Sequence, residues 1–503
     1  MFSAARTVIS LGVIFQAAGF IKLLVVANYF GAGPVLDGYY LGLVIPTFLT
    51  GIAATLLQAG FVPRYIAANA RKDGAAARLL RNACLSWTFA ILTAIPALLC
   101  VLENPISALL WRGIDPTIAG ALHSSFVPLI WTTPLTGLAQ GIALLLNAEG
   151  KFGAAAGAPI GNSIVGSLTI FLLRAHGIDA LIISSYAGLL LQLLILWFAL
   201  HRLRLTLGPD LSLPKALPSL VMAVGLPVLV SGALGSCVPA FLQTIAARAG
   251  PGAVSVFGYA NLLHNALVQT VTMSVSVVLL PHFSQIVAEQ RHDELRATLN
   301  TVFAATVLFS MAGIAFIAAT GSSAVGILLQ RGRFTSTDAD LVANVWLAFT
   351  TGLLGVTWGI FLVRLFQATQ QMWLVAKVSA VSVAANVLLA FVLMPAFGVT
   401  GIAIANSFAY TVTMSIFHVN ASRAFGRFID RDTVRFAMYA MVANSVACVL
   451  ARLLNRSEEG VNLVVLVGQG LVVVSANLLI VHKRPLGLSL RGLMKRQLLT
   501  SRG

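Results

Sequence analysis

"YFGAGPVLDGYYLGLVIP", residues 29–46, sets Gly, Pro and Asp between two long apolar runs, and "RAGPGAVSVFGYANLLHN", residues 248–265, echoes it some two hundred residues later. With Gly38–Tyr39 laid over Gly258–Tyr259, "DGYYLGL" falls over "FGYANLL", and "FVPRYIAANARKD" falls over "LLPHFSQIVAEQRHD". Further on, "GIALLLNAEGKF" matches "GIFLVRLFQATQQM" and "GIDALIISSYA" matches "GVTGIAIANSFA". The offset is roughly 220 residues each time, far longer than any solenoid period. Four motif pairs in the same order mark a duplicated unit.

What is duplicated is a membrane unit. The 503 residues are 58% hydrophobic and 10% charged, with a mean hydropathy of +0.92, outside the range of a domain with a polar surface. Apolar runs of about 20 residues recur from end to end, the length that crosses roughly 30 Å of hydrocarbon. About fourteen are read, at roughly 5–29, 37–62, 79–101, 118–146, 155–173, 180–200, 217–247, 253–287, 299–319, 341–367, 374–394, 401–420, 433–454 and 461–481. The first is longer than the apolar part of a signal peptide and carries Gln16 and Lys22, so it is read as a span. The fold expected is an all-α polytopic membrane protein with two six-helix repeats and two added C-terminal helices. An even number of spans per copy makes the repeats parallel, about an axis along the membrane normal. The lobes expected are 1–215 and 216–430, followed by the helix pair at 431–482 and a basic tail at 483–503.

Cytoplasmic loops keep Lys and Arg. An inside N-terminus places Arg64, Arg71, Lys72, Arg78, Arg81, Arg202, Arg204, Lys215, Arg423, Arg427, Arg431, Arg435 and the basic tail on the cytoplasmic side of the cell's inner membrane. About 23 cations then lie inside against roughly 7 outside. Both termini are expected to be cytoplasmic, and the formal charge of +16 needs no nucleic acid to explain it. The tail would be drawn to anionic lipid headgroups.

The acids lie in loops or at span ends, Asp37 in part excepted, and no H-E-x-x-H, D-x-x-D or G-x-S-x-G arrangement occurs. That argues against an enzyme, because acid–base or metal chemistry needs such groups gathered at one depth. The four cysteines fall singly in apolar spans, so no metal, disulfide or cofactor is expected. Candidate substrate-binding residues are the polar groups at membrane depth. Lys22 lies about seven residues before the outer end of its span, roughly 10 Å deep; it either snorkels to headgroups or faces a wet cavity. Gln16 lies on the same helix. Asn261, His264, Asn265 and Thr272 form one stripe of the eighth span, with Gln269 on its border, and either contact substrate or join helices by hydrogen bonds. Asp37 either serves the cavity or caps the start of its own helix. Gly153, Gly157 and Gly161 keep a G-x-x-x-G spacing that concerns helix packing. Gln243 and Asn386 are amides that offer ligands to a coupling cation.

These residues resemble a known family. "FGAGPVLDGYYLGLVIPTFL" with "QAGFVPRY" is similar to the first hairpin of the MurJ (MviN) family, "FGYANLL…LLPHFS" to its eighth helix, and "NAEGKF…APIGNS" to the segment after its fourth span. The resemblance covers essentially the whole chain. It implies the multidrug/oligosaccharidyl-lipid/polysaccharide exporter fold and a flippase that carries undecaprenyl-pyrophosphate-linked lipid II outward. It further implies a cavity lined by the first and eighth helices and a groove for the lipid tail at the last two. Gln16 and Lys22 stand where the family carries two arginines, Leu262 and Asn265 where it carries Arg and Glu, and Asp37 matches its aspartate. The partners implied are the lipid-linked saccharide and membrane lipids, with a coupling cation or the membrane potential as energy source. The alternatives are an exopolysaccharide or O-antigen repeat-unit flippase, a cation-coupled multidrug exporter of the same fold, and a structural partner in a polysaccharide assembly complex.

The topology is open to direct test. Cysteines placed at positions 72 or 427 should stay unmodified when an impermeant thiol reagent is added outside intact cells, and should react once the membrane is opened. Labelling from outside would overturn the orientation.

Overall fold

The computed structural model describes residues 2–210, 226–453 and 463–483. Lys215, the expected boundary between the lobes and the basic tail beyond Lys483 lie outside them. Among the described residues the structure is helical, with no strand. Among the described residues eight helices are long and apolar enough to cross a membrane, ten when two bent pairs each count as one span. This is compatible with the fourteen spans read from the sequence, because one helix covers two of them. The apolar stretches Ile14–Phe30 and Val465–Ile480 add to the set.

The chain forms two compact units that interleave along its length. The first holds Met1–Tyr259, Leu329–Asp338 and Ala390–Ile402; the second holds Ala260–Leu328, Ala339–Leu389 and Ala403–Gly503.

In the first unit, α1 (Phe2–Phe30) packs on α9 (Phe152–Leu173), which packs on α10 (Ile178–Arg202). The second span is a chain of short helices, α2 (Pro34–Gly42), α3 (Val44–Leu56) and α4 (Val62–Ala70), with a π-turn at Leu57–Phe61. Pro63 lacks the N–H that the regular ladder needs, and the π-turn lets the backbone pass this point. Next come α5 (Gly74–Val101), α6 (Glu103–Leu110) and a span bent by 45° between α7 (Pro116–Ile130) and α8 (Thr132–Ala148). α11 (Leu226–Ala246) and the start of α12 (Ala253–Ala288) complete the unit.

Small residues set how closely these helices approach. A Cβ on Gly38 would lie 2.5 Å from the Cβ of Ala121 and 2.6 Å from its carbonyl carbon, and one on Gly42 would lie 3.0 Å from Ser125 Oγ. The apolar run of the opening stretch therefore carries its glycines on the face where α2 meets α7. Small residues also join α3 to α11: a Cβ on Gly51 would lie 2.7 Å from Ser236 Oγ, and one on Gly232 2.4 Å from Thr55 Cγ2. Leu98, Val101, Leu172, Leu194 and Trp197 point outward, as lipid-facing side chains do when the solvent is hydrocarbon.

The second unit continues α12 into α13 (His292–Leu329), a span bent by 45° between α14 (Ser336–Thr351) and α15 (Leu353–Ala368), then both ends of α16 (Met372–Phe425), whose stretch Ala390–Ile402 belongs to the first unit, and α17 (Arg431–Leu453) and α18 (Leu463–Lys483). α16 contains two of the spans read from the sequence, broken at Gly398, whose φ of 56° is left-handed. Its core gathers Phe283, Leu295, Trp358, Phe361, Phe366 and Phe417. α17 and α18 are joined by polar groups: Asn477 Nδ2 donates to Asn444 Oδ1 at 2.9 Å, and Gln469 Nε2 donates to the Ala451 carbonyl at 3.1 Å.

One device occurs twice. In the first unit the buried Arg81 donates to the Thr206 carbonyl, 125 residues on, at 2.7 Å, and the Asp210 N–H donates to Ser86 Oγ. In the second, Arg296 donates to the Phe425 carbonyl, 129 residues on, at 2.6 Å, and the Asp430 N–H donates to Asn300 Oδ1. Each time an arginine near the start of one helix ties down the chain that leaves the last helix of the repeat, where carbonyls lose their partners.

Gly38→Ala should prise α2 from α7 and destabilise the protein by about 1–3 kcal/mol, the usual cost of overpacking. Gly120→Ala, whose Cβ would meet nothing within 4 Å, should be neutral. Melting of the detergent-purified variants, followed by size-exclusion fluorescence, compares them, and equal melting would refute the account of Gly38.

Candidate functional site

The two echoing stretches meet. Pro34, which suits a first helical turn, starts α2, and Asp37 follows one turn in, wholly buried. Its carboxylate does not cap its own helix. Oδ2 accepts the Gly252 N–H at 2.6 Å and Oδ1 accepts the Ser255 N–H at 2.7 Å, so the acid of the first echo caps the helix that begins the second. Asp73 and Asp115 behave locally by contrast, accepting from Ala76 and Thr117 at the starts of their own helices. The second echo returns the contact: buried Tyr259 donates its hydroxyl to the Gly31 carbonyl at 3.0 Å. Gly31 and Gly252 have φ of 63° and 85°, a region that glycine enters freely.

A third segment joins them. The Arg333 N–H donates to the Asn28 carbonyl at 3.0 Å, and a Cβ on Gly332 would lie 2.2 Å from that same oxygen. Phe334 meets the Tyr259 ring edge-on at 5.4 Å. The end of α1, the start of α2, the start of α12 and the loop after α13 are thus bound at one point through backbone groups that would otherwise be orphaned.

Lys22 lies in the same unit. Its side chain crosses to α9, where a Cβ on Gly166 would lie 3.0 Å from Nζ, 3.2 Å from Cε and 3.5 Å from the Ser184 carbonyl oxygen of α10. Among the described residues no carboxylate pairs with the ammonium. One turn along α9, Asn162 donates to Gln192 at 2.9 Å, and a Cβ on Gly188 would strike Asn162 Oδ1 at 2.5 Å. Of the G-x-x-x-G glycines, Gly161 faces Ile195 and Leu191, and a Cβ on Gly157 would meet nothing within 4 Å. Gln16 is partly buried on α1.

Asn261, His264 and Asn265 belong to the second unit. Asn265 donates to Asn261 along the helix at 3.1 Å, leaving Asn265 exposed. His264 is buried and stacks on Phe349 at 5.4 Å, with its Nδ1 unpartnered among the described residues. Thr272 bonds back to the Val268 carbonyl. Asn386 accepts from Asn406 at 2.9 Å. An apolar cavity of about 330 Å³ opens between α12, α13 and α18, lined by Leu267, Phe309, Gly313, Phe316, Val473 and Leu478.

The sequence shows Gly38–Tyr39 and Gly258–Tyr259 as a repeated pattern and singles out Asp37 beside it, without showing what Asp37 and Tyr259 do. Sequence reasoning passed over Ser255, Arg333 and Gly166, whose parts depend on segments far away in the chain. The Gly-Pro-Gly run at 250–252 was the available signal for a special turn before α12.

A family model described as lipid II flippase MurJ matches residues 26–467. The chain is 24% identical over 410 residues to a "Probable lipid II flippase MurJ" of Rhizobium tropici, spanning 78% of this chain and 75% of that protein. It is 23% identical over 415 residues to the lipid II flippase MurJ of Burkholderia cenocepacia, with 80% of each covered. In fold it is similar to a lipid II flippase MurJ in an inward closed conformation, with a TM-score of 0.80 and 17% identity over 94% of this chain and 98% of that one. A multidrug resistance MATE family transporter of the MOP superfamily follows at a TM-score of 0.68 and 15% identity, covering 84% of this chain and 98% of the transporter. With a family model spanning most of its length, the chain belongs to the MurJ family of lipid II flippases.

Proposed function

We propose that the protein flips an undecaprenyl-pyrophosphate-linked saccharide, lipid II first of all, across the cytoplasmic membrane by alternating access, with both termini in the cytoplasm. Family membership supports the substrate class. The observation that carries the mechanism is the junction at Asp37. Two hydrogen bonds from backbone N–H groups to one carboxylate hold the first hairpin of one repeat to the first hairpin of the other. Bonds of this charged kind contribute about 1.5–3 kcal/mol each. That is strong enough to close a gate and weak enough to open without melting a helix. On the orientation read from the arginines and lysines, the junction is the outer gate.

Lys22 supplies the cation for the substrate's phosphates. A charge at membrane depth costs at least a few kcal/mol unless it is solvated or paired, and a pyrophosphate offers the missing partner through charge-assisted hydrogen bonds. Gln16, Asn261, His264 and Asn265 offer neutral hydrogen bonds, and Asp37 acts through the gate. The cavity beside α18 takes part of the lipid tail. A coupling cation or the membrane potential drives the cycle. A related lipid-linked saccharide is the second reading, favoured by Gln16 and Leu262 standing where the family keeps cations. Complementation of strains lacking either a lipid II flippase or an O-antigen flippase separates the two.

Rocking of the lobes predicts that Ala32→Cys and Ala253→Cys, joined by a short reducible bifunctional cross-linker, lose transport and regain it on reduction. Full transport in the cross-linked protein would eliminate alternating access at this gate. For the cation, Lys22→Ala should impair complementation at normal abundance, and Lys22→Arg should largely preserve it, since arginine keeps the charge and binds phosphate well. His264→Ala and Asn265→Ala should cost less, because a neutral hydrogen bond contributes only about 0.5–1.5 kcal/mol. Normal transport by Lys22→Ala would remove the lysine from the substrate site.

A further inference from the structure

Lysine has a long and flexible stem, and at membrane depth its ammonium is drawn toward the headgroups. In this protein the Cε and Nζ of Lys22 instead lie against Gly166 of α9, close to the Ser184 carbonyl of α10. The feature that receives them is the absence of a side chain at Gly166. Glycine inside a helix is destabilising relative to alanine, so a buried glycine in the middle of α9 calls for something that needs its space.

The neighbouring glycines make room for helix packing. Gly161 faces the Ile195 and Leu191 side chains, and Gly188 faces the Asn162 side chain and carbonyl. Gly166 differs, because the two atoms nearest to its missing Cβ are Nζ and Cε of Lys22, at 3.0 and 3.2 Å, and the third is the Ser184 carbonyl oxygen at 3.5 Å. The space therefore belongs to the ammonium, and a backbone carbonyl turns its negative end toward the same point. Asn162 and Gln192, the polar pair one turn away, satisfy each other and leave the ammonium's donors to a ligand.

We propose that Gly166 is a positioning residue for Lys22, its missing side chain forming the seat that fixes the ammonium at the depth where it meets the anionic group of the substrate. This rests on the reading of Lys22 as the substrate's cation. A lysine held in a seat gives the bound phosphate a cation at one defined depth, and a free one would be spread between cavity and headgroups. A branched side chain at position 166 would push the ammonium out of the junction, whereas a lone methyl group would shift it only slightly.

A double-mutant cycle tests the pair, with lipid II as the probe. Flipping is measured in proteoliposomes, and complementation in a strain depleted of its own lipid II flippase, at matched abundance and melting temperature. Gly166→Val should lower flipping about as far as Lys22→Ala does, and the double variant should match Lys22→Ala to within about twofold. Gly166→Ala, whose Cβ displaces the ammonium by only a few tenths of an ångström, should give a smaller loss that likewise vanishes in the Lys22→Ala background, and it serves if the valine variant folds poorly. Losses that multiply in the double variant would mean that Gly166 serves helix packing, and normal flipping by both position-166 variants would equally overturn the seat. Normal flipping by Lys22→Ala would instead remove the reading of Lys22 beneath it.

Discussion

A helix that starts inside a membrane protein exposes N–H groups that neither lipid nor the helix itself can satisfy. At the start of α12 that demand is met by the Asp37 carboxylate, and much of the surrounding geometry follows from it. Pro34 and the extended Gly33 aim the first turn of α2, glycines at 250 and 252 bend the chain into α12, and Gly31 offers its carbonyl to Tyr259. The negative charge also lies at the positive end of the α12 dipole, which favours it further. An acid is thereby kept wholly buried with no ion-pair partner among the described residues, because backbone dipoles supply the compensation.

Elsewhere the protein joins its helices by two means suited to an apolar solvent. Glycine and serine let backbones approach, as at Gly38 on Ala121 and Gly232 on Thr55, since lipid gives helices no hydrophobic reason to associate. Amide pairs add direction: Asn444 with Asn477 in the last two helices, and Asn386 with Asn406 in α16. The arginine ties at 81 and 296 do similar work at the ends of the two repeats, holding the chain where it leaves the bundle.

The membrane class and the helical fold were legible in the sequence, because hydrocarbon demands some twenty apolar residues per crossing and leaves helices as the economical way to satisfy the backbone. The repeat was legible for a similar reason: the Gly, Pro and Asp breaks sit where spans end, and breaks are easier to align than apolar runs. The bends within α7–α8 and α14–α15 were not. Pro128, close to one bend, and Gly352, at the other, are of types that also occur within continuous apolar spans, so neither marks a bend by itself.

The sequence by itself singled out Lys22 and Asp37 as charges within or beside apolar runs, and showed that the chain is written twice. Tertiary structure alone decided where those charges point. Asp37 stands in the first turn of α2, where local rules give it to its own helix, yet its oxygens reach a backbone more than two hundred residues away. Lys22 has the same sequence surroundings whether it reaches for lipid or for α9, and the choice is made by a glycine on another helix. Hydrophobic spacing is a local property that the chain states in order, whereas the partner of a buried polar group depends on which distant backbone the packing brings beside it.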